Sequence, residues 1–138
     1  MSDLAFFDTN ILLYADDDKS PQKQQKAISL FERHLQEGTA VVSLQVLQEY
    51  YNGATRKFGL DPKLAQSKVE VLATAVVVRF DSLDVIKAIE LHRLTQLSFW
   101  DALIVHAARS AGAPVLYSED FRHGAVLGGV RVVNPFAA

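Results

Sequence analysis

The stretch from Leu4 to Tyr14 constrains the fold more than any other. Leu4-Ala5-Phe6-Phe7 is a short apolar run that ends in one carboxylate, Asp8, and an apolar helical pattern through Ile11, Leu12 and Leu13 starts at once. The run shows no alternation of apolar and polar residues. It therefore reads as a strand buried on both faces, as in a parallel sheet. Such sheets bind ligands in the crevice beyond the carboxyl ends of their strands. Asp8 is expected to stand at that end, with the rest of the fold bringing further carboxylates to it.

The remainder of the chain repeats the strand-then-helix pattern. Asp16-Asp17-Asp18 reads as a solvated loop tip. Ser20-Pro21 signals a helix start, Ala27, Ile28, Phe31 and Leu35 give that helix one apolar face, and Gly38 ends it. Ala40–Ser43 reads as a second buried strand. The helix after it carries Leu47, Tyr50, Tyr51, Ala54 and Phe58 on one stripe and closes at Gly59. Asp61-Pro62 starts another helix, with Ala65, Val69 and Leu72 inward. The β-branched run Val76-Val77-Val78-Arg79-Phe80 is a third strand. Ser82 is read as the cap of the next helix, which carries Ile86, Ile89, Leu94 and Leu97. A break near Ser98 precedes a helix with Trp100, Leu103, Ile104, Ala107, Ala108 and Ala111 at helical spacing. Val115–Tyr117 and Val130–Val133 are the fourth and fifth strands. Alternating strands and helices predict an α/β fold with a mostly parallel five-stranded sheet, right-handed crossovers and helices on both faces.

Length and composition narrow the class further. A chain of 138 residues is expected to form one domain, over 1–138. It has no cysteine, which excludes disulfides and zinc–thiolate sites and fits a reducing cytoplasm. Asp3 and Asp8, without a long apolar core, argue against a secretion signal. The apolar run Ile11–Ala15 is far too short to span a bilayer. Net charge is −2, which disfavours a general nucleic-acid coat. Setting four acids aside as a metal site moves the remainder from −2 to +2, so an anionic substrate stays open.

Those four acids are Asp8 after the first strand, Glu49 off the apolar stripe of the helix after the second, Asp101 in the first turn of the Trp100 helix, and Asp120 after the fourth strand. Each has a plainer role. Asp101 fits a capping box with Ser98, Asp8 and Asp120 suit turns or caps, and Glu49 suits a helix surface. Segments leaving parallel strands nevertheless share one edge, and crowded carboxylates repel. At ~4 Å each pair costs about 4 kcal/mol at an effective dielectric near 20. They must take up protons or hold a cation. All-oxygen donors suit Mg²⁺ or Mn²⁺. Such ions can activate water and clamp the oxygens of a phosphodiester in flight.

Four segments in order strengthen this reading: Phe7-Asp8-Thr9-Asn10, the Glu49 helix, Phe99-Trp100-Asp101-Ala102-Leu103-Ile104, and Leu116-Tyr117-Ser118-Glu119-Asp120-Phe121. Together they resemble the signature segments of the PIN domain family, and most of all its VapC-like toxin ribonucleases from bacterial toxin–antitoxin pairs. The resemblance covers nearly the whole chain. It implies a three-layer α/β/α fold and Mg²⁺- or Mn²⁺-dependent cleavage of RNA. It also implies Asp8, Glu49, Asp101 and Asp120 as catalytic metal ligands, with Asn10 and Ser118 as the polar residues that orient them. Ser118 stands where many relatives carry Thr, which keeps the hydroxyl. The same resemblance implies a homodimer and a cognate antitoxin whose tail enters the acidic groove. A housekeeping PIN nuclease and a non-catalytic module with the same fold are the alternatives.

Other features carry less. His34, His92, His106 and His123 have no metal-ligand spacing and read as surface or helix-end residues. Arg56, Lys57, Arg93 and Arg122 are available to phosphates, but a solvated face explains each. Tyr50, Tyr51 and Trp100 lie on apolar stripes and are expected in the core rather than stacked on bases. Glu119 is an extra acid beside Asp120. A phosphoaspartate phosphatase would need Asp-x-Asp, and position 10 is Asn. A receiver domain would need a lysine after its last strands, and none lies between Val115 and Ala138.

Overall fold

The structure is a computed structural model and describes residues 3–137. The opening run forms strand β1 (Ala5–Phe7), with all three residues buried. Helices α1 (Thr9–Tyr14) and α2 (Pro21–Glu37) lead to β2 (Ala40–Ser43), and α3 (Leu44–Arg56) and α4 (Pro62–Leu72) lead to β3 (Val76–Val78). The chain then returns through α5 (Ser82–Leu94) and α6 (Phe99–Ser110) to β4 (Val115–Tyr117), and ends in β5 (Val126–Leu127) and β6 (Val130–Val133).

The sheet order is β3-β2-β1-β4-β6-β5. β1 pairs in parallel with both β2 and β4, which buries it as its unbroken apolar sequence requires. Going from β1 to β3 the chain moves one way across the sheet. From β4 onward it fills the other side. Right-handed crossovers then put α1–α4 over one face and α5–α6 over the other. The reversal lies between β1 and β4, which makes their carboxyl ends the switch point of the fold.

The sheet has six strands where five were expected. The addition is β5, two residues paired antiparallel to β6 across the Gly128-Gly129 turn. Two residues are too few for any periodicity to show.

Most termini follow the local chemistry. Gly38 closes α2 in the left-handed region at φ 73°, and the Asp61 carboxylate accepts from the N–H groups of Lys63 and Leu64 at the start of α4. Helix α5 differs from expectation. Its cap is Asp81, not Ser82, in a reciprocal capping box with Asp84. Asp16 also differs. It is no solvated tip, because its carboxylate accepts from the Tyr50 hydroxyl at 2.6 Å and pairs with Lys68 at 2.8 Å. That side chain fastens the end of α1 to α3 and α4. Among the described residues no helix is long and apolar enough to cross a membrane.

Helix α3 crosses α1 at a glycine. A Cβ built on Gly53 would stand 2.9 Å from Cδ1 of Leu13. Alanine there is tolerable, because a flexible methyl can yield and helix propensity gains about 1 kcal/mol. Valine would overpack the crossing. Gly53→Val is expected to cost about 1–3 kcal/mol in a denaturant titration. An unchanged midpoint would show that the close approach of α1 and α3 is dispensable.

Candidate active site

The site is built on the loops either side of the switch point. Asp8 ends β1 and is the N-cap of α1, in extended backbone (φ −70°, ψ 155°). It is 4% exposed. Its carboxylate accepts from the Thr9 N–H at 2.8 Å and from the Ser118 hydroxyl at 2.7 Å. Ser118 directly follows β4 and is fully buried. Its oxygen in turn accepts from the Asp120 N–H at 3.0 Å and from the Asn10 amide at 3.4 Å. Asn10 also accepts the Glu119 N–H at 3.2 Å. Asn10 and Ser118 thus lace the loop after β1 to the loop that carries Asp120.

Glu49 reaches the same edge from α3. Its Oε1 accepts the Thr9 hydroxyl at 2.7 Å and its Oε2 accepts the Gln45 amide at 3.2 Å. Glu49 and Asp120 are exposed and Asp101 is half-buried. Asp101 sits in the first turn of α6, where its N–H donates to the capping hydroxyl of Ser98 at 3.1 Å.

Electrostatics ties the four together. Burial pushes the Asp8 carboxyl up from 3.8 to about 7; hydrogen bonds from Ser118 and Thr9 pull it back, and the charges of Asp120 and Glu49 push it further. Burial also raises Asp101. The Ser98 hydrogen bond opposes that rise, and Asp120 and Glu49 again add to it. Asp8 and Asp101 therefore face the same two acids. Among the described residues, however, no three acidic or histidine side chains are gathered closely enough to grip an ion as they stand. Asp8 and Asp101 each feel the charges of Asp120 and Glu49, but the four carboxylates do not close into a cage.

The donor set can be tested against a metal ion. It is all oxygen, and its most buried member is a carboxyl that meets two hydrogen-bond donors and two further negative charges but no positive one. A hard divalent cation such as Mg²⁺ or Mn²⁺ fits such a set.

The sequence singles out Glu119 and Lys57 but not Thr9, whose hydroxyl between Asp8 and Asn10 is the signal of its contact with Glu49. Glu119 accepts from the Tyr14 hydroxyl at 2.8 Å and pairs with Lys23 at 2.7 Å. Lys23 also lies over the ring of Phe136, so the chain's end braces this cluster. Lys57 joins Asn10, Tyr14, Glu119 and Asp120 around a polar cavity of about 240 Å³.

Two expectations are corrected. His106 is buried in mid-helix rather than at the surface or a helix end, while His34 stands at the end of α2 as expected but is buried there. His34 pairs with the Thr39 hydroxyl at 2.7 Å, and His106 bridges Asp84 at 3.0 Å and Arg109 at 2.9 Å. Tyr50 is in the core, but Tyr51 (40%) and Trp100 (63%) are exposed. Tyr51 lies two residues past Glu49, roughly 200° round α3, and so faces away from the acids.

No curated protein matches the chain. Solved structures do. A chain of a toxin–antitoxin complex from Klebsiella pneumoniae is 21% identical, with 97% of this chain and 99% of that chain covered and a TM-score of 0.69. A chain of DNA-bound VapBC from Salmonella typhimurium is 19% identical over 96% of this chain and 97% of its own, with a TM-score of 0.69. The sarcin–ricin loop cleaving toxin VapC20 of Mycobacterium tuberculosis is 20% identical over 84% and 89%, with a TM-score of 0.63. At such identities the likeness speaks for the fold. The family model of the PIN domain, for its part, matches residues 5–126, a span that runs from β1 through the loop of Ser118 and Asp120. The chain belongs to the PIN domain family.

Proposed function

We propose that this chain, as one nuclease domain over 1–138, is a metal-dependent endoribonuclease and the toxin of a toxin–antitoxin pair. The observation that carries the reading is the buried Asp8 carboxylate at the switch point, held by Ser118 and Thr9 and facing Asp120 and Glu49. A carboxyl so placed is suited to a bound cation that offsets its charge. Asp8, Glu49, Asp101 and Asp120 are the residues that would hold Mg²⁺ or Mn²⁺. Bound there, such an ion supplies Lewis-acid activation of a water and neutralises charge on a scissile phosphate.

The chain's own residues do the rest. Ser118 and the Thr9 N–H fix the Asp8 carboxylate in one orientation. The Thr9 hydroxyl does the same for Glu49. Asn10 holds the Asp120 loop at a constant distance from α1. Lys57, at the wall of the polar cavity, meets the phosphate backbone. The products expected are a 5′-phosphate and a 3′-hydroxyl.

RNA is favoured as substrate because a structurally similar toxin is an RNA-loop cleaver. Similar chains from toxin–antitoxin and VapBC complexes favour a cognate antitoxin. Its tail, on this reading, enters the acidic groove beside Asp8, Glu49, Asp101 and Asp120, and the apolar groove of about 350 Å³ lined by Leu12, Ile28, Phe31, Leu35, Val71 and Leu72 is open to the rest of it.

The test is incubation of the purified chain with end-labelled single-stranded RNA, with Mg²⁺ or Mn²⁺ and then with excess EDTA. Cleavage is expected only with the ion. Undiminished cleavage in EDTA would overturn the metal-dependent mechanism. Growth arrest on expression, relieved by co-expression of an antitoxin encoded next to the gene, would establish the toxin role; no arrest would remove it.

A further inference from the structure

The polar cavity that touches Asp120 lies between α1, the end of α3 and the loop after β4. Leu13 and Phe58 give it apolar walls. Most of its polar lining is already engaged. Both ends of the Asn10 amide have partners, the Ser118 hydroxyl and the Glu119 N–H. The Tyr14 hydroxyl donates to one Glu119 oxygen and accepts from Lys23, which also pairs with the other Glu119 oxygen.

Two polar groups are left over. Asp17 is half-buried against the cavity rather than a solvated tip. Its Oδ1 accepts from the Lys19 N–H at 3.1 Å, and its Oδ2 has no partner among the described residues. Lys57 lies over the ring of Phe58, its Nζ 5.5 Å from the centroid, and has no ion-pair partner among the described residues. The space is about 240 Å³, below the ~300 Å³ at which pockets begin to enclose a whole drug-sized ligand. It suits one flat ring system whose remainder lies outside. That ring must offer donors to a carboxylate, and its remainder an anion to an ammonium.

A nucleobase on its sugar-phosphate meets these terms, and the four bases meet them unequally. A carboxylate is an acceptor only. Adenine and cytosine each present one amino group beside a ring nitrogen that is itself an acceptor. Uracil presents one N–H between two carbonyls. Each of these sets a lone pair against Asp17. Guanine presents two donors side by side, N1–H and the 2-amino group, which match the two oxygens of one carboxylate. Unpaired RNA leaves that edge free, and an aromatic wall suits its face.

We propose that this cavity holds a guanine beside the scissile phosphate, with Asp17 reading its N1–H and 2-amino edge and Phe58 against its ring. Asp120 lines the same cavity and is one of the four acids, so a base seated there belongs to a nucleotide adjoining the phosphate at those acids. Lys57 stands at the wall for the phosphate of that nucleotide. The inference rests on the nuclease reading and deepens it by naming the base.

Two fluorescently labelled RNAs, identical but for one guanine replaced by inosine, test it. Inosine lacks only the 2-amino group. The wild type with Mg²⁺ is expected to cleave beside the guanine, and kcat/KM should fall about ten- to a hundredfold on the inosine RNA. Asp17→Asn keeps an acceptor for the Lys19 N–H and turns an amide donor on the guanine donors. It should bring the two RNAs within about threefold of each other, by lowering the rate on guanine alone. A fall on both RNAs alike, with the preference kept, would mean that Asp17 only shapes its loop, and would overturn the proposal. The wild-type comparison decides should that variant fail to fold. Anisotropy of the same RNAs with the wild type in EDTA is a second readout, and the same preference is expected there. Guanine-preferring binding without any cleavage would remove the nuclease reading and keep the pocket. No guanine preference in either readout would overturn the pocket, and cleavage that ignores the swap would leave the nuclease reading standing.

Discussion

Asp8→Asn is expected to lower Mg²⁺-dependent RNA cleavage by at least about a thousandfold, or ~4 kcal/mol of transition-state stabilisation. The substitution is nearly isosteric, and an amide oxygen can still accept the Thr9 N–H that now caps α1 at 2.8 Å. What it removes is one negative charge at the most buried of the four acids, together with the oxygen that accepts the Ser118 hydroxyl at 2.7 Å. Asp101→Asn should act in the same direction, because Asp101 faces the same two carboxylates. Glu119→Gln is the control. Glu119 adjoins Asp120 in the chain but is committed to Lys23 and Tyr14, so its loss should cost less than about tenfold. Single-turnover cleavage at saturating Mg²⁺ makes the comparison. Full activity in Asp8→Asn or Asp101→Asn would remove the mechanism. An equal loss in all three variants would mean that the loop's shape matters and its charges do not.

The contrast between Glu119 and Asp120 shows what one sequence can and cannot disclose. The parallel core was legible because burial on both faces leaves a local mark: Ala5–Phe7 and Ala40–Ser43 are unbroken apolar runs, and each is followed at once by a helix. The positions of Asp8 and Asp120 at one edge followed from parallel topology alone. The fates of isolated polar groups did not follow, because they depend on partners distant in the chain. Asp16 reads as solvated beside Asp17 and Asp18 until Tyr50, 34 residues away, donates to it. His106 reads as exposed until Asp84 and Arg109 enclose its ring. Trp100 misled in the opposite sense. Its spacing to Leu103 and Ile104 is helical, but in the first turn of α6 it projects past the core that holds Ala102 to Ala108. Periodicity names a face and says nothing of whether a neighbour covers it there.

The buried carboxylate also sets an expected pH dependence. Folding raises the Asp8 carboxyl from 3.8 to about 7. Between those values the folded chain holds a proton that the unfolded chain has released. Stability from this group is therefore complete below about pH 4 and is lost as pH rises towards 7. The full difference is up to roughly 4 kcal/mol. Asp84 works against it, since the hydrogen bond to His106 lowers its carboxyl, and its stabilisation is present at higher pH and lost on acidification. The raw pH profile therefore mixes both signs. Subtracting the profile of Asp8→Asn isolates the Asp8 contribution, because Asp84 is unchanged in the variant. In EDTA at pH 8 the variant should melt no lower than the wild type, and the balance should move towards the wild type as pH falls to 5. Mg²⁺ at pH 8 should then raise the wild-type melting temperature and leave the variant almost unmoved, since an ion that binds only the folded, ionised site stabilises that state alone. A marked drop for Asp8→Asn at pH 8 without metal would mean that the carboxylate is there to cap α1, and that its charge is no burden for an ion to relieve.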